Sequence, residues 1–224
     1  MHRPALRWIV LTLAALAAVP VLLLALYTVV APVSTLMLAR WATGQPVVRI
    51  MTPIAAIDPQ LIKAVIASED TGFCRHHGVD WGELKEVIDD ADGDAPRRGA
   101  STITMQVAKN LLLWPGRSYV RKALEIPLAL VIDAVWSKRQ ILQTYLNIAE
   151  WGPAGEFGAE AGAQRAFGKS AANLSRSEAA LLAVMLPNPH RRNAARPGPG
   201  LRRVAGTVSR RAAALPDLAN CIRR

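Results

Sequence analysis

A mainly α-helical protein with an N-terminal transmembrane helix is the fold class that the sequence predicts, and three observations predict it. Residues 8–33 contain no charged side chain. Capping residues recur ahead of apolar stretches of helical period, and no later segment alternates like a strand. No internal repeat stands out.

An apolar run above about 20 residues suffices to cross the hydrocarbon core as a helix. Pro20 lies inside it, which a membrane helix tolerates better than a soluble one. Arg3 and Arg7 precede it, so the positive-inside tendency puts the N-terminus in the cytoplasm and everything after about Arg40 on the outer side. A cleaved signal peptide is the alternative, since residues 14–18 offer small side chains, but the apolar stretch continues well past them. The expected organisation is a cytoplasmic tip and anchor over 1–40, a juxtamembrane connector over 41–57, a catalytic domain over 58–192 and a basic tail over 193–224.

Within the domain, Asp58 and Pro59 read as a cap and first helical position, with Leu61, Ile62, Val65 and Ile66 on one face of a helix ending near Glu69. Asp80 and Glu83 announce a second helix. A polar loop is expected over 89–99, and Ser101 is expected to cap a helix through Leu113. Ser137 with Gln140, and Ser175 with Glu178, mark two further starts. Amphipathic stretches cover 120–136, 138–150 and 178–186, and the tail reads as a loop with a final surface helix.

The formal charge is +10. An exported basic domain favours anionic lipid headgroups or phosphate-bearing substrates, and export disfavours nucleic acid. Two cysteines are too few for a disulfide framework or a zinc site, although the compartment permits one bond. Cys74 lies in the segment richest in chemistry and is expected to be a free packing residue.

That segment, residues 68–80, gathers acid, aromatic, imidazole and glycine around a helix end. A carboxylate there faces the negative end of the helix dipole, and apolar neighbours raise its pKa further, which suits a general base. Residues 99–110 open a helix with small and hydroxyl side chains, a start that suits an anion, and put Gln106 and Lys109 on one face. Arg117, Arg121 and Lys122 precede a second acid, Glu125. Two carboxylates on separate segments among cations suit glycosyl transfer from a phosphate leaving group.

Five motifs carry a resemblance: Glu69-Asp70-x-x-Phe73-x-x-His76-x-Gly78-x-Asp80; Gly99-Ala100-Ser101-Thr102-Ile103-Thr104-x-Gln106-x-Ala108-Lys109-Asn110; Arg121-Lys122-x-x-Glu125; Ser137-Lys138-x-x-Ile141-Leu142-x-x-Tyr145-Leu146-Asn147; and Ser177-Glu178-Ala179-Ala180-Leu181-Leu182-Ala183 running into Leu186-Pro187-Asn188-Pro189. In order and spacing the chain resembles the family-51 peptidoglycan glycosyltransferases, and among them the monofunctional membrane-anchored type. The resemblance implies a lysozyme-like domain with a cleft between a larger lobe and a smaller, membrane-dipping one. It implies that Glu69 deprotonates the 4-hydroxyl of the N-acetylglucosamine of an incoming lipid II. That oxygen would attack the lipid-linked growing chain with inversion, forming a β-1,4 bond and releasing undecaprenyl pyrophosphate, with Glu125 assisting at the donor side. Asp70, Phe73, His76, Ser101, Thr102, Gln106, Lys109, Asn110, Arg117 and Lys122 match substrate-binding positions.

No cofactor is required, and a divalent cation at the pyrophosphate is allowed but not demanded. The implied partners are lipid II, the growing glycan, the membrane, and cell-wall synthesis or division proteins; the implied location is the inner membrane with a periplasmic domain. The chain ends soon after the fifth motif, which leads us to expect no transpeptidase domain. Three departures stand out. Met105 replaces a usual glutamine at the cleft edge, Asp133 replaces a common glutamate, and Pro127 falls within the expected third-motif helix, where it should kink the chain and aim Glu125. The apolar run 111–114 ends in a Trp suited to a membrane interface. The rival readings are a glycan-cleaving enzyme of lysozyme-like fold and a non-catalytic membrane-anchored scaffold of the cell-wall machinery.

Overall fold

The computed structural model of the chain describes residues 3–89, 101–116, 118–215 and 218–222. The chain divides into two units, Met1–Pro32 and Val33–Arg224. The first holds α1 (Arg3–Leu26), with Pro20 inside it. The helix stops seven residues short of Val33, where the β-branched Thr28, Val29 and Val30 lead to Pro32 and weaken helix propagation. Among the described residues, no helix is long and apolar enough to cross a membrane.

The second unit opens on α2 (Thr35–Ala42), whose cap Ser34 accepts from the Met37 amide at 3.2 Å. Met37 is fully buried, and α2 packs on α5 (Ile103–Leu112). The connector that follows is not featureless. Its β1 (Val48–Arg49) pairs in parallel with β2 (Glu156–Phe157), and Ile54–Ala56 form a 3-10 turn. Two-residue strands are too short to show alternation, so the sequence offered no sign of them. Asn147 fixes the connector by accepting from the Thr52 amide at 2.7 Å and donating to the Thr52 carbonyl at 2.9 Å.

Most helix starts fall where the capping residues predict. Asp58 accepts from the Gln60 amide to open α3 (Pro59–Glu69), and Asp80 accepts from the Glu83 amide to open α4 (Trp81–Asp89). Ser137 caps α7 (Lys138–Ile148), and Ser118, which was not singled out in the sequence, caps α6 (Tyr119–Val135). After α8 (Ala159–Phe167), Ser175 and Glu178 form a reciprocal capping box on α9 (Arg176–Ala183). Helix α6 continues through Pro127 to Val135. The cap of α5 is Thr102 rather than Ser101: Thr102 accepts from the Met105 amide, while the Ser101 hydroxyl is taken by Lys122. Asp89, where the expected polar loop starts, closes α4; the rest of that expectation, residues 90–99, lies outside the described residues.

Two groups of helices form the body. Helix α3 packs against α9 and α10 (Pro199–Ala214), while α5 packs against α6 and α7. The basic tail is therefore no surface appendage. Ala205, Val208 and Ala212 give α10 a buried face, leaving Arg202, Arg203, Arg210 and Arg211 exposed. Met105 also departs from its expected place at a cleft edge. It is fully buried with Val79 and Ala129, because its turn of α5 faces α6.

The expectation of a free Cys74 is overturned. Cys74 is disulfide-bonded to Cys221 in the short α11 (Ala219–Ile222), with Cα atoms 5.7 Å apart. The two lie 147 residues apart in sequence, so the pairing depends on the final helices folding back over the first-motif turn. A cross-link over so long a loop restricts the unfolded chain strongly. Cys221→Ser is expected to lower unfolding free energy by about 2–4 kcal/mol, read as a reduced denaturant midpoint, whereas the same change under full reduction has little further effect.

Candidate active site

Helix α3 ends at Glu69, where the backbone leaves the helical region at Asp70. The Glu69 carboxylate is half-buried and accepts two hydrogen bonds from neutral donors, Gln106 Nε2 at 3.1 Å and Ser68 Oγ at 3.1 Å. Burial raises its pKa above the ordinary glutamate value. The Gln106 and Ser68 bonds, and the charges of Arg192 and Lys109, pull it back only in part.

Asp70 turns the other way and is buried. Both its oxygens lie 3.0 Å from His76 Nε2, and Oδ2 also accepts from the Ile103 amide at 2.9 Å. That amide is one of the free donors at the start of α5, so a carboxylate meets the positive end of the helix dipole. Thr102 adds a second tie by donating to the Gly78 carbonyl at 2.6 Å. Gly78 has φ +81°, and a Cβ there would lie 2.6 Å from the Ala129 carbonyl of α6, so only glycine fits. Phe73, fully buried, stands edge-on to His76. Lys138 Nζ lies 4.9 Å over the Phe73 ring, donates to the His76 carbonyl at 2.7 Å and pairs with Asp133 at 2.6 Å. Asp133 is thus a brace for the turn.

The second acid, Glu125, is 3% exposed and has both oxygens engaged by cations of its own helix. Arg121 pairs with Oε1 and Lys122 with Oε2, the latter at 2.9 Å, and Lys122 also donates to Ser101 across the gap to the start of α5. Lys109 links the two acids electrostatically. Burial lowers its pKa; Glu125 pulls the value up, Arg121 and Lys122 push it down, and Glu69 pulls it up again. One ammonium thus feels carboxylates from α3 and from α6.

Of the residues singled out in the sequence, Glu69, Gln106, Lys109, Ser101, Lys122 and Glu125 come together along α5 and its two neighbours. Asp70, His76 and Thr102 shape the turn beside them. Phe73 and Asn110 are core residues, 0% and 5% exposed, so neither presents a surface to a substrate. Arg117 lies outside the described residues. Three members of the site were not picked out in advance as site residues. Arg121 sat beside Lys122 in the third motif, Tyr145 was quoted only as part of the fourth, and Arg192 was one of many tail arginines with no pattern to single it out.

A helical domain thus holds two carboxylates on separate helices, one among neutral donors and one among cations. The family model described as Transglycosylase matches residues 36–214, and the chain belongs to that family. A protein of Nitrobacter winogradskyi named biosynthetic peptidoglycan transglycosylase is 57% identical over 219 residues, covering 98% of this chain and 96% of its own. Namesakes from Rhodopseudomonas palustris and Agrobacterium fabrum are 58% and 51% identical, over 97% and 96% of this chain and 92% and 95% of their own.

Because folding raises the Glu69 pKa, the folded state holds that proton more tightly than the unfolded chain. Its contribution is favourable at low pH and becomes a cost as pH rises through the folded value. Glu69→Gln is therefore expected to raise the denaturation midpoint at neutral pH, with the gain vanishing in acid; equal midpoints at both pH values would contradict the desolvation account.

Proposed function

We propose that the chain polymerises lipid II into β-1,4 glycan strands, a peptidoglycan glycosyltransferase of cell-wall synthesis that releases undecaprenyl pyrophosphate. The observation that carries the reading is Lys109, set between Glu69 and the Arg121–Lys122–Glu125 cluster. Glu69, with its raised pKa, takes the proton from the acceptor sugar hydroxyl as that oxygen attacks the anomeric carbon of the lipid-linked donor. Lys109, Arg121 and Lys122 meet the charge that develops on the departing pyrophosphate. Glu125 holds Arg121 and Lys122 in place and, through them, the donor. Both its oxygens are already engaged by these cations, so it offers no free carboxylate oxygen to a divalent cation. Side chains supply the positive charge in this reading, and no cofactor enters it.

A glycan-cleaving enzyme needs one acid and leaves the cations on α5 and α6 without a purpose. A scaffold needs no raised pKa at all. In the proposed fold, lysozyme-like and two-lobed, α3 with α9 and α10 forms one wall of the cleft and α5 with α6 and α7 the other. Trp114, Tyr119, Val120 and Leu124 are exposed apolar side chains around the start of α6. They would dip into the outer leaflet and receive the lipid tail, while the uncharged run 8–33 anchors the chain in the inner membrane with the domain in the periplasm.

With purified lipid II in detergent, the wild type should make long glycan strands and Glu69→Gln should lose about 10²- to 10⁴-fold in rate. Cleavage of preformed glycan would make it a hydrolase, and no product from the folded wild type would favour the scaffold. The full chain is also expected to stay with the membrane after alkaline carbonate extraction; release of the chain would remove the anchor.

A further inference from the structure

The amide of Gln106 has two neighbours that want opposite things from it. Its Nε2 donates to Glu69 at 3.1 Å, and its Oε1 accepts from the Tyr145 hydroxyl at 3.1 Å. Tyr145 belongs to α7, is 1% exposed, and has no route to water. We propose that Tyr145 is a positioning residue for the reaction: by donating to Gln106 Oε1 it locks the amide so that its NH₂ end, not its carbonyl, faces the Glu69 carboxylate.

An amide can rotate by half a turn at little steric cost, since oxygen and NH₂ are nearly the same size. Rotated, Gln106 would present a carbonyl to Glu69. That arrangement suits only a protonated Glu69, which can donate, and it repels the ionised form. The unrotated amide stabilises the carboxylate. Tyr145 selects between the two because its buried O–H needs an acceptor: a rotated amide would turn its NH₂ toward the phenol oxygen and leave that hydrogen unpaired, and the phenol keeps the hydrogen. Burial, then the charges of Glu69 and Asp70, push its pKa well above the ordinary tyrosine value. The groups facing Glu69 are Lys109 from α5, Arg192 from the segment after α9, Gln106 and Ser68, with Tyr145 behind the amide; Asp70, next to it in sequence, turns away to His76 and Ile103. Removing the hydroxyl leaves every one of these charges in place.

The inference rests on the reading of Glu69 as the base. Loss of the lock raises the Glu69 pKa, so the acid limb of the pH–rate profile moves to higher pH. Tyr145→Phe is expected to shift that limb up by about one pH unit, with about tenfold loss of kcat at pH values below it, recovery above it, and unchanged KM for lipid II. Gln106→Met, which keeps the bulk but removes the donor, should shift the limb in the same direction. The double variant should show no further shift, because the hydroxyl acts only through the amide. Should Tyr145→Phe fold poorly, Tyr145→Met, which also lacks the hydroxyl, must shift the limb to the same extent. An equal loss at every pH, an unmoved limb in Gln106→Met, or additive shifts in the double variant would overturn the proposal. If Glu69→Gln is inactive and the Tyr145→Phe profile is unshifted, the lock fails alone; if Glu69→Gln stays active, the base assignment falls with it.

Discussion

The buried carboxylate of Asp70 is the interaction on which the site depends. It sits where α3 ends, accepts from the Ile103 amide at the start of α5, and binds the His76 ring. Burying a carboxylate is costly unless every lone pair is used, and these partners come from the turn and from the next wall of the site. The helix that carries Gln106 and Lys109 is therefore docked on the helix that carries Glu69 by a contact adjacent to Glu69 itself. An apolar contact would hold two helices together without fixing their register; two donors on one small group, one of them shared by both oxygens, leave little freedom to slide.

The turn between Asp70 and Asp80 is braced from the outside as well. Lys138 holds the His76 carbonyl and stands over Phe73, Gly78 fits against Ala129 with no room for a side chain, and Cys74 is tied to the C-terminal α11. Each brace comes from a different part of the sequence: α7, α6 and the tail. A turn that carries catalytic geometry gains from constraints that do not share a failure, since loss of one leaves the others to hold the register.

Much of the fold was legible because its signals are local. A cap such as Ser175 with Glu178 satisfies amides within one helical turn, so its pattern survives in four residues of sequence. The candidate acids were legible for a similar reason, each lying in a motif with its own neighbours. What the sequence hid depends on long-range packing. The burial of Phe73, Met105 and Asn110 depends on which helix faces α5. The Cys74–Cys221 bond depends on how the tail returns, and the reach of Arg192 toward Glu69 depends on the turn after α9. Thr102 displaced Ser101 as cap for a similar reason: Lys122, twenty-one residues away in sequence, takes the Ser101 hydroxyl.

The contrast between the two acids argues for their division of labour. Glu125 has a guanidinium and an ammonium in direct contact, one on each carboxylate oxygen. Among the described residues, Glu69 is hydrogen-bonded by an amide and a hydroxyl, while Lys109 and Arg192 act on it through charge. Neutral donors orient a carboxylate while leaving it basic, whereas contacting cations would suppress its basicity. A group that must gain a proton belongs in the first environment, and a group that must hold positive charge toward a phosphate belongs in the second. The helix dipole adds to the contrast: α3 presents its negative end to Glu69, which disfavours the ionised carboxylate and keeps it basic.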